Sequence, residues 1–296
     1  MKKIFLVLTA VMTVLPQAFA AKKDENPELK VMSYNIRLGS ANDGTNSWAL
    51  RYTATYDMLK DQNPDVFGVQ EALDYQVAYI EEMCGYEYVG VGRDDGKKKG
   101  EYMAIFWNRK TVSMLKWGTF WLSDTPDEPS MGWDAACMRT ATWALMKCRK
   151  TGNKFYFVNT HLDHKGMEAQ KKGLELIVNN IAGMNPEKLP LILSGDFNMV
   201  STNEAIVALD KVMFNTRSVA PVTDTLATFN GWGKSLEQAA IGDNMKAKPV
   251  HELIIDYIFY SPMDSTMCKE YATINGTFAG VPYISDHYPI IAKFEL

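Results

Sequence analysis

The chain has 296 residues, of which 47% are hydrophobic and 22% are charged. These fractions are ordinary for a soluble globular protein with a sizeable core. The formal net charge of −4 disfavours tight, unspecific binding to duplex nucleic acid, because proteins that neutralise many phosphates are usually basic. No stable nucleic-acid partner is therefore expected.

The first twenty residues are typical of a secretory signal peptide. Lys2 and Lys3 precede the apolar run 4–15, and Ala18-Phe19-Ala20 has the small-x-small pattern of a cleavage site. The apolar run is too short to anchor the protein in a bilayer. We therefore expect an exported protein, periplasmic or secreted, whose mature chain of residues 21–296 has no transmembrane segment. Because the leader contains two lysines and no acid, its removal takes the net charge from −4 to −6.

The mature chain is predicted to mix strands and helices. Helical spacing of apolar residues predicts helices over 48–59, over 73–84, around 174–181 and near 204–209. Between them, apolar runs predict strands at 29–36, 66–69, 86–91, 102–108, 112–122, 141–147, 155–160, 191–194, 254–260 and 290–294.

This order of elements favours two packed sheets with helices outside, an α/β sandwich. A single doubly wound parallel sheet fits less well, because the strands of the middle third have no helices between them. The sequence shows no internal repeat and no Pro/Gly-rich linker, so residues 21–296 are predicted to be one domain. We expect this domain to be a monomer.

The four cysteines are Cys84, Cys137, Cys148 and Cys268. They are far apart and lack CxxC spacing, so a cysteine-type zinc site is not expected. An oxidising compartment allows one disulfide, but the sequence does not say which cysteines would pair.

Several predicted strands end in residues that could bind a metal ion. Asn35, Glu71, Asp196 and Asp286 each follow an apolar run. Carboxylate and amide oxygens converging on one point make a site for a hard cation such as Mg²⁺ or Mn²⁺. The alternative is that these residues merely begin exposed turns.

Two histidines have candidate acidic partners. Asp256 lies within an otherwise apolar run, where a lone charge would be costly, and we predict that it orients His287. Glu101 stands at the start of the predicted strand 102–108 and is expected to partner His161 in the same way.

Other catalytic motifs are incomplete or absent in this sequence. Gly231-Trp232-Gly233-Lys234-Ser235 lacks the upstream glycine of a phosphate-binding loop, because Thr228 occupies that position. The sequence contains no GxSxG nucleophile elbow. The three lysines 97–99 are interpreted as a solvated hairpin loop rather than as a phosphate clamp.

Seven short motifs occur along the chain in this order: Met32-Ser33-Tyr34-Asn35-Ile36-Arg37, Gln70-Glu71, Gly100-Glu101, Asn159-Thr160-His161-Leu162-Asp163, Gly195-Asp196-Phe197-Asn198, Ile255-Asp256-Tyr257-Ile258 and Ser285-Asp286-His287. In this order they resemble the motifs of the endonuclease/exonuclease/phosphatase superfamily, which includes DNase I-like nucleases, sphingomyelinases, inositol polyphosphate 5-phosphatases and deadenylases. Residues 42–51 and 228–232 resemble its bacterial secreted branch, near the deadenylase-like subgroup.

The resemblance implies a four-layer α/β sandwich, with two mixed β-sheets packed face to face and helices outside, and metal-dependent hydrolysis of a phosphate ester. It implies that Glu71 and Asp286, helped by Asn35, bind Mg²⁺ or Mn²⁺. It also implies roles for the remaining candidates. His287, oriented by Asp256, would be the general base or the electrostatic partner of the attacking water, and Asp196 and Asn198 would position the water or the phosphate. His161, held by Glu101, would act at a phosphoryl oxygen or at the leaving group. Arg139 is a looser motif match and would bind the phosphate.

The expected enzyme is an exported phosphoesterase, acting on diesters more than on monoesters. Nucleic-acid or nucleotide fragments rank slightly above phospholipid head groups, as in sphingomyelinases, and inositol phosphates. Two alternatives remain open. One is a binding protein on the same scaffold that has lost catalysis. The other is a carbohydrate-active enzyme that uses Asp196 and Glu71 as paired carboxylates without a metal.

Overall fold

The computed structural model describes residues 28–234, 249–261 and 267–295. The signal peptide predicted at 1–20 lies outside these residues. In the described part of the chain, no helix combines the length and the hydropathy that a membrane crossing requires.

Within these ranges the chain forms twelve strands and five α-helices. In chain order they are β1 (Glu28–Asn35), α1 (Trp48–Gln62), β2 (Val66–Gln70), α2 (Asp74–Cys84), β3 (Glu87–Val89), β4 (Ile105–Trp107), β5 (Val112–Trp121), β6 (Thr140–Cys148), β7 (Lys154–His161), α3 (Met167–Met184), β8 (Leu191–Asp196), α4 (Glu204–Leu209), β9 (Phe214–Asn215), α5 (Thr216–Val219), β10 (Asp256–Ser261), β11 (Cys268–Thr273) and β12 (Ile290–Glu295).

The first two helices end where their sequences predict. Asn63 follows α1 in the left-handed conformation, with φ of 44°, and Pro64 prevents the helix from continuing. Gly85 ends α2 with φ of 76°, a conformation that glycine adopts without the steric cost of a Cβ atom. Each helix is therefore followed directly by the next strand.

The strands form two sheets of six. Their orders are β11-β12-β1-β2-β4-β3 and β5-β6-β7-β8-β10-β9. The pairs β1–β2 and β7–β8 are parallel, and the other paired strands are antiparallel, so both sheets are mixed.

Successive side chains of a strand point to opposite faces of its sheet, so the apolar core consists of three clusters. Val31 of β1 packs in the central cluster between the sheets, whereas its neighbour Met32 packs in the cluster that contains residues of α1 and α2. On the second sheet, Phe157 points to the central cluster and Val158 to the cluster with α3 and α4. The order is thus helices, sheet, sheet, helices, which confirms the predicted four-layer α/β sandwich.

A polar contact fixes the two sheets against each other near one end of the sandwich. The Asn159 amide of β7 donates to the carbonyls of Val69 and Ala104, at 2.8 and 2.9 Å, and accepts from the Gln70 side chain at 2.6 Å. Gly68 makes room for it, because a Cβ atom there would lie 2.4 Å from Asn159 Cγ. The strand ends of the two sheets are therefore held close together.

Three strand predictions are wrong in detail. The strand predicted at 102–108 is shorter, so Glu101 lies in an irregular segment before it. Asp256 is the first residue of β10 rather than its middle, and Asp286 precedes β12 rather than ending a strand. Both β10 and β12 run antiparallel to their neighbours β8 and β1, so the start of each strand lies at the edge where those neighbours end.

Candidate active site

Polar residues from both sheets meet at one end of the sandwich. Asn35 is the last residue of β1, Glu71 follows β2, and Asp196 is the last residue of β8. Asp256 starts β10 directly opposite Asp196, and His287 lies in the segment that leads into β12. Chain direction therefore brings together residues that are far apart in the sequence.

A cleft of about 480 Å³ opens at this end. Three of the predicted site residues, Asn35, Asp256 and Asp286, are not among those that line it. Seven predicted site residues line it: Glu71, Glu101, Arg139, His161, Asp196, Asn198 and His287. The other lining residues were not predicted as site residues: Arg37, Leu38, Ala41, Arg93, Cys137, His164 and Phe229.

Asn35 connects two carboxylates. Its amide nitrogen donates to Glu71 Oε1 and to Asp196 Oδ2, both at 3.0 Å. The amide orientation follows from its other contact, because Asn35 Oδ1 accepts from the backbone N–H of Arg37. The second Glu71 oxygen accepts from the backbone N–H of Leu38 at 2.9 Å. Asn35 thus presents nitrogen rather than oxygen to the carboxylates, and its direct ligation of a metal stays a prediction.

The predicted pairing of Asp256 with His287 is present. Asp256 Oδ2 lies 2.8 Å from His287 Nδ1, and the Phe229 ring packs edge-on against the imidazole with centroids 5.0 Å apart. Nε2 of His287 faces Asp196 Oδ2 at 3.7 Å. The other imidazole nitrogen is therefore directed into the cleft by a buried carboxylate behind it.

The charges of this group are strongly interdependent. Burial disfavours the imidazolium, but Asp256 and then Asp196 outweigh burial and raise the pKa of His287 to about 10. Burial, and next the charge of Asp256, raise the pKa of Asp196 to about 7. Asp196 and Asp256 hold negative charge in a poorly solvated place, which the His287 imidazolium neutralises in part and a metal cation would relieve further.

His161 contacts Asn198 on the opposite side of Asp196. Its Nε2 lies 2.9 Å from Asn198 Nδ2 and 3.5 Å from Asp196 Oδ2. Burial, and then the charges of Arg139 and Arg93, lower the pKa of His161 well below its usual value. The imidazole is therefore neutral at neutral pH.

Glu101 lies beside His161, as predicted, but does not hold it by a hydrogen bond. Its Oε2 is 3.9 Å from His161 Nδ1, which exceeds hydrogen-bonding distance. Its Oε2 instead accepts a hydrogen bond from Arg93 Nη1 at 2.8 Å, and its Oε1 lies 2.7 Å from Arg93 Nη2 in the same ion pair. The sequence pattern did not reveal this arginine, although Arg93 and Glu101 stand at the two ends of the predicted hairpin loop.

Asp286 contacts a guanidinium group and a hydroxyl group. Its Oδ2 lies 3.5 Å from Arg37, whose guanidinium makes two hydrogen bonds of 2.9 Å with Asp43. Its Oδ1 accepts from the Ser285 hydroxyl at 3.3 Å. The charges that act most strongly on Asp286 are those of His287, Glu71 and Arg37, in that order, and its joint ligation of a metal with Glu71 stays a prediction.

The donor set fits a divalent cation. Ligand atoms of Glu71, His161 and Asp196 lie within 4.8 Å of one another, and those of Asp196, Asp256 and His287 form a second such group. Asp196 belongs to both. Two carboxylates with imidazole neighbours suit Mg²⁺ through their oxygens, and Mn²⁺ through both kinds of ligand.

Arg139 lies on the far wall of the cleft and is firmly held. Its Nε donates to Asp163 at 3.4 Å, and its Nη2 lies 3.0 Å from His164 Nδ1. Asp163 also accepts backbone N–H groups of Ala136, Lys165 and Gly166, at 2.8 to 3.1 Å. The predicted arginine is therefore positioned to face a ligand.

The four cysteines are all free thiols. Cys137 lines the cleft, and burial raises the pKa of its thiol. Lysines 97–99 are exposed, as the solvated-loop interpretation predicts.

Residues 32–287 match the model of the endonuclease/exonuclease/phosphatase family. The chain belongs to this family, whose members hydrolyse phosphate esters. The membership confirms the family suggested by the sequence motifs.

Similar proteins come from bacteria and from a virus. A family member from Bacteroides thetaiotaomicron is 33% identical, with a TM-score of 0.79, over 92% of this chain and 100% of its own. The mannosyl-6-phosphatase of Bacteroides thetaiotaomicron VPI-5482 is also 33% identical, with a TM-score of 0.78, over 89% of this chain and 98% of its own. An uncharacterized protein of Acanthamoeba polyphaga mimivirus is 26% identical over 90% of this chain and 100% of its own.

Proposed function

We propose that the protein is an exported phosphoesterase, dependent on Mg²⁺ or Mn²⁺, that removes phosphate from a phosphorylated sugar. The observation that carries this proposal is the position of Asp196 Oδ2. It lies within 3.0 to 3.7 Å of Asn35, His161 and His287, in the cleft that Asp196 lines.

Different side chains would act on the attacking water and on the substrate. A water held between Asp196 Oδ2 and His287 Nε2 would be oriented by the His287 imidazolium and would pass its proton to the Asp196 carboxylate while it attacks phosphorus. On the other side, Asn198 holds His161 in place, and the free Nδ1 N–H of His161 would donate to an oxygen of the substrate. Asn35 keeps Glu71 and Asp196 in place through its two hydrogen bonds.

Glu71 and Asp196 would hold the divalent cation, with Asp286 adjacent. When bound, the cation supplies positive charge to the phosphate and acidifies water. The protein's own contribution is to keep the two carboxylates close and largely shielded from solvent.

The size and surroundings of the cleft favour a small substrate. A volume of about 480 Å³ is in the range of small-molecule sites. The net charge of −4 gives no general attraction for a nucleic-acid backbone. The 33% identity to a mannosyl-6-phosphatase supports a sugar phosphate. We therefore place this monoester ahead of the diesters and nucleotide fragments that the motifs alone favoured.

Export rests on the leader sequence, with its lysines, apolar run and Ala18-Phe19-Ala20 site. Membership of the bacterial secreted branch is part of the same proposal. Amino-terminal sequencing of protein recovered from the periplasm or the culture medium is expected to begin at Ala21. Recovery of unprocessed protein from the cytoplasm alone would refute export.

A substrate panel tests the proposed reaction. With Mg²⁺ or Mn²⁺ present, kcat/KM is expected to be higher for a hexose 6-phosphate than for bis(4-nitrophenyl) phosphate, oligonucleotides, sphingomyelin or inositol phosphates. Higher kcat/KM for any diester would overturn the choice of a monoester. Release of sugar from an unphosphorylated glycan without metal would instead support the carbohydrate-active alternative, and binding of substrate without turnover would support the non-catalytic one.

A further inference from the structure

The cleft has two chemically different halves. Glu71, Asp196 and His287 form the half described above as the reaction centre. The opposite half, here called the arginine wall, consists of Arg93, Glu101, Cys137, Arg139 and His164. His161 lies between the halves, because it contacts Asp196 on one side and faces Glu101 on the other.

The charges of the arginine wall are matched in pairs. Arg93 is held by Glu101 through an ion pair that includes one hydrogen bond, and Arg139 is paired with Asp163. A second phosphate or carboxylate on the ligand would therefore meet carboxylates as well as guanidinium groups. The wall suits an uncharged polar ligand better than an anion.

Two buried donors, one on the arginine wall and one between the halves, lack a hydrogen-bond partner in the described part of the chain. They are Arg93 Nε and His161 Nδ1. We assign a proton to His161 Nδ1 because Asn198 Nδ2, which also donates to the Leu162 carbonyl, must donate to His161 Nε2. Buried N–H groups normally donate to an acceptor. Two such groups without an acceptor beside a cleft therefore indicate that oxygens of a ligand or of water accept from them.

Glu101 adds acceptor capacity at the same place. Its carboxylate accepts one hydrogen bond from Arg93 and lies 2.7 Å from a second guanidinium nitrogen, which leaves lone pairs free. A hydroxyl group can accept from an N–H of Arg93 or His161 and donate to Glu101 at once. A phosphate oxygen can only accept, and an aryl ring can do neither.

The backbone holds these groups ready before any ligand binds. Arg93 N–H donates to the Glu101 carbonyl at 3.0 Å, and the Trp121 indole donates to the Arg93 carbonyl at 2.7 Å. Gly92 has no room for a side chain, because a Cβ atom there would lie 2.3 Å from the Lys99 carbonyl oxygen. A preformed loop of this kind lowers the ordering cost of binding.

We propose that the arginine wall is the subsite for the sugar, with Arg93 and Glu101 reading hydroxyl groups of the leaving-group moiety. This proposal rests on the proposed function and specifies how the substrate is chosen. It makes Arg93 a specificity-determining residue, since a substrate without the matching hydroxyl leaves buried polar groups unpaired.

The test compares substrates first and variants second. For the wild-type protein with Mg²⁺, kcat/KM is measured on a hexose 6-phosphate, on its monodeoxy analogues and on 4-nitrophenyl phosphate. At least one deoxy analogue is expected to lose about 10- to 100-fold. In Arg93→Gln this discrimination is expected to shrink to within about threefold, because the hydroxyl has lost its partner.

Arg109→Gln is the matched control, since Arg109 is an exposed arginine near Glu87 and should keep the wild-type discrimination. If the wild type cleaves hexose phosphate but treats every deoxy analogue alike, the subsite is refuted while the proposed function stands. The subsite is also refuted if Arg93→Gln lowers kcat/KM equally for all substrates and keeps the wild-type discrimination between the hexose phosphate and its deoxy analogues. Failure to cleave any monoester refutes both. The deoxy series in the wild type decides the matter even if Arg93→Gln does not fold.

Discussion

Replacing His287 with alanine is expected to lower kcat by at least about 10³-fold while the protein stays folded. The imidazole is buried, is held by Asp256 at 2.8 Å, and presents Nε2 to Asp196. Its removal takes away the imidazolium that orients the attacking water beside Asp196. The loss should appear in kcat rather than in KM, because the imidazole acts mainly on the transition state.

His251→Ala is the control for this substitution, since His251 is exposed in the 3₁₀ turn Val250–Leu253 before β10. Its turnover should equal that of the wild type. Circular dichroism and thermal unfolding show whether each variant is folded. Folded His287→Ala protein with turnover near the wild-type rate would refute the assigned role.

The Glu71→Gln substitution is expected to weaken the apparent affinity for Mg²⁺ or Mn²⁺ by about 100-fold or more. The amide is nearly the same size and can still accept from Leu38, so the local backbone should persist. It lacks the negative charge that a divalent cation requires. The measurement is the metal concentration for half-maximal hydrolysis, determined for wild type and variant.

Glu82→Gln serves as the matched control, because Glu82 is exposed on α2 and its replacement by glutamine removes the same charge from the surface. Its metal dependence should match that of the wild type. An unchanged half-maximal metal concentration in Glu71→Gln would show that Glu71 is not a ligand.

The reaction centre could be foreseen because of where its residues stand in the chain. Asn35 and Asp196 end buried strands and Glu71 follows one, and ends of neighbouring strands share an edge. The pairing of Asp256 with His287 followed from a similar argument, since a charge in an apolar run needs a partner.

Strand direction was the weak point of the sequence-based prediction. Alternating or apolar runs do not say which way a strand runs, so Asp286 was placed at a strand end although it precedes β12. Because β12 is antiparallel to β1, the residue still reaches the correct edge. There it meets Arg37, a contact that no local pattern indicates.

The arginine wall could not be predicted because it depends on tertiary contacts between irregular segments. Arg93 and Glu101 are joined by the closure of residues 92–101. His164 reaches the cleft through its contact with Arg139. Such segments carry no periodicity, and their side chains take positions set by the two sheets beneath them.

Metal dependence of hydrolysis is the most direct test of the central claim. Protein treated with EDTA and then freed of it should hydrolyse 4-nitrophenyl phosphate about 100-fold or more slowly than untreated protein. Addition of Mg²⁺ or Mn²⁺ should restore the rate, whereas buffer without a divalent cation should not. Full turnover by the metal-stripped protein would contradict the assignment of Glu71 and Asp196 to a divalent-cation centre.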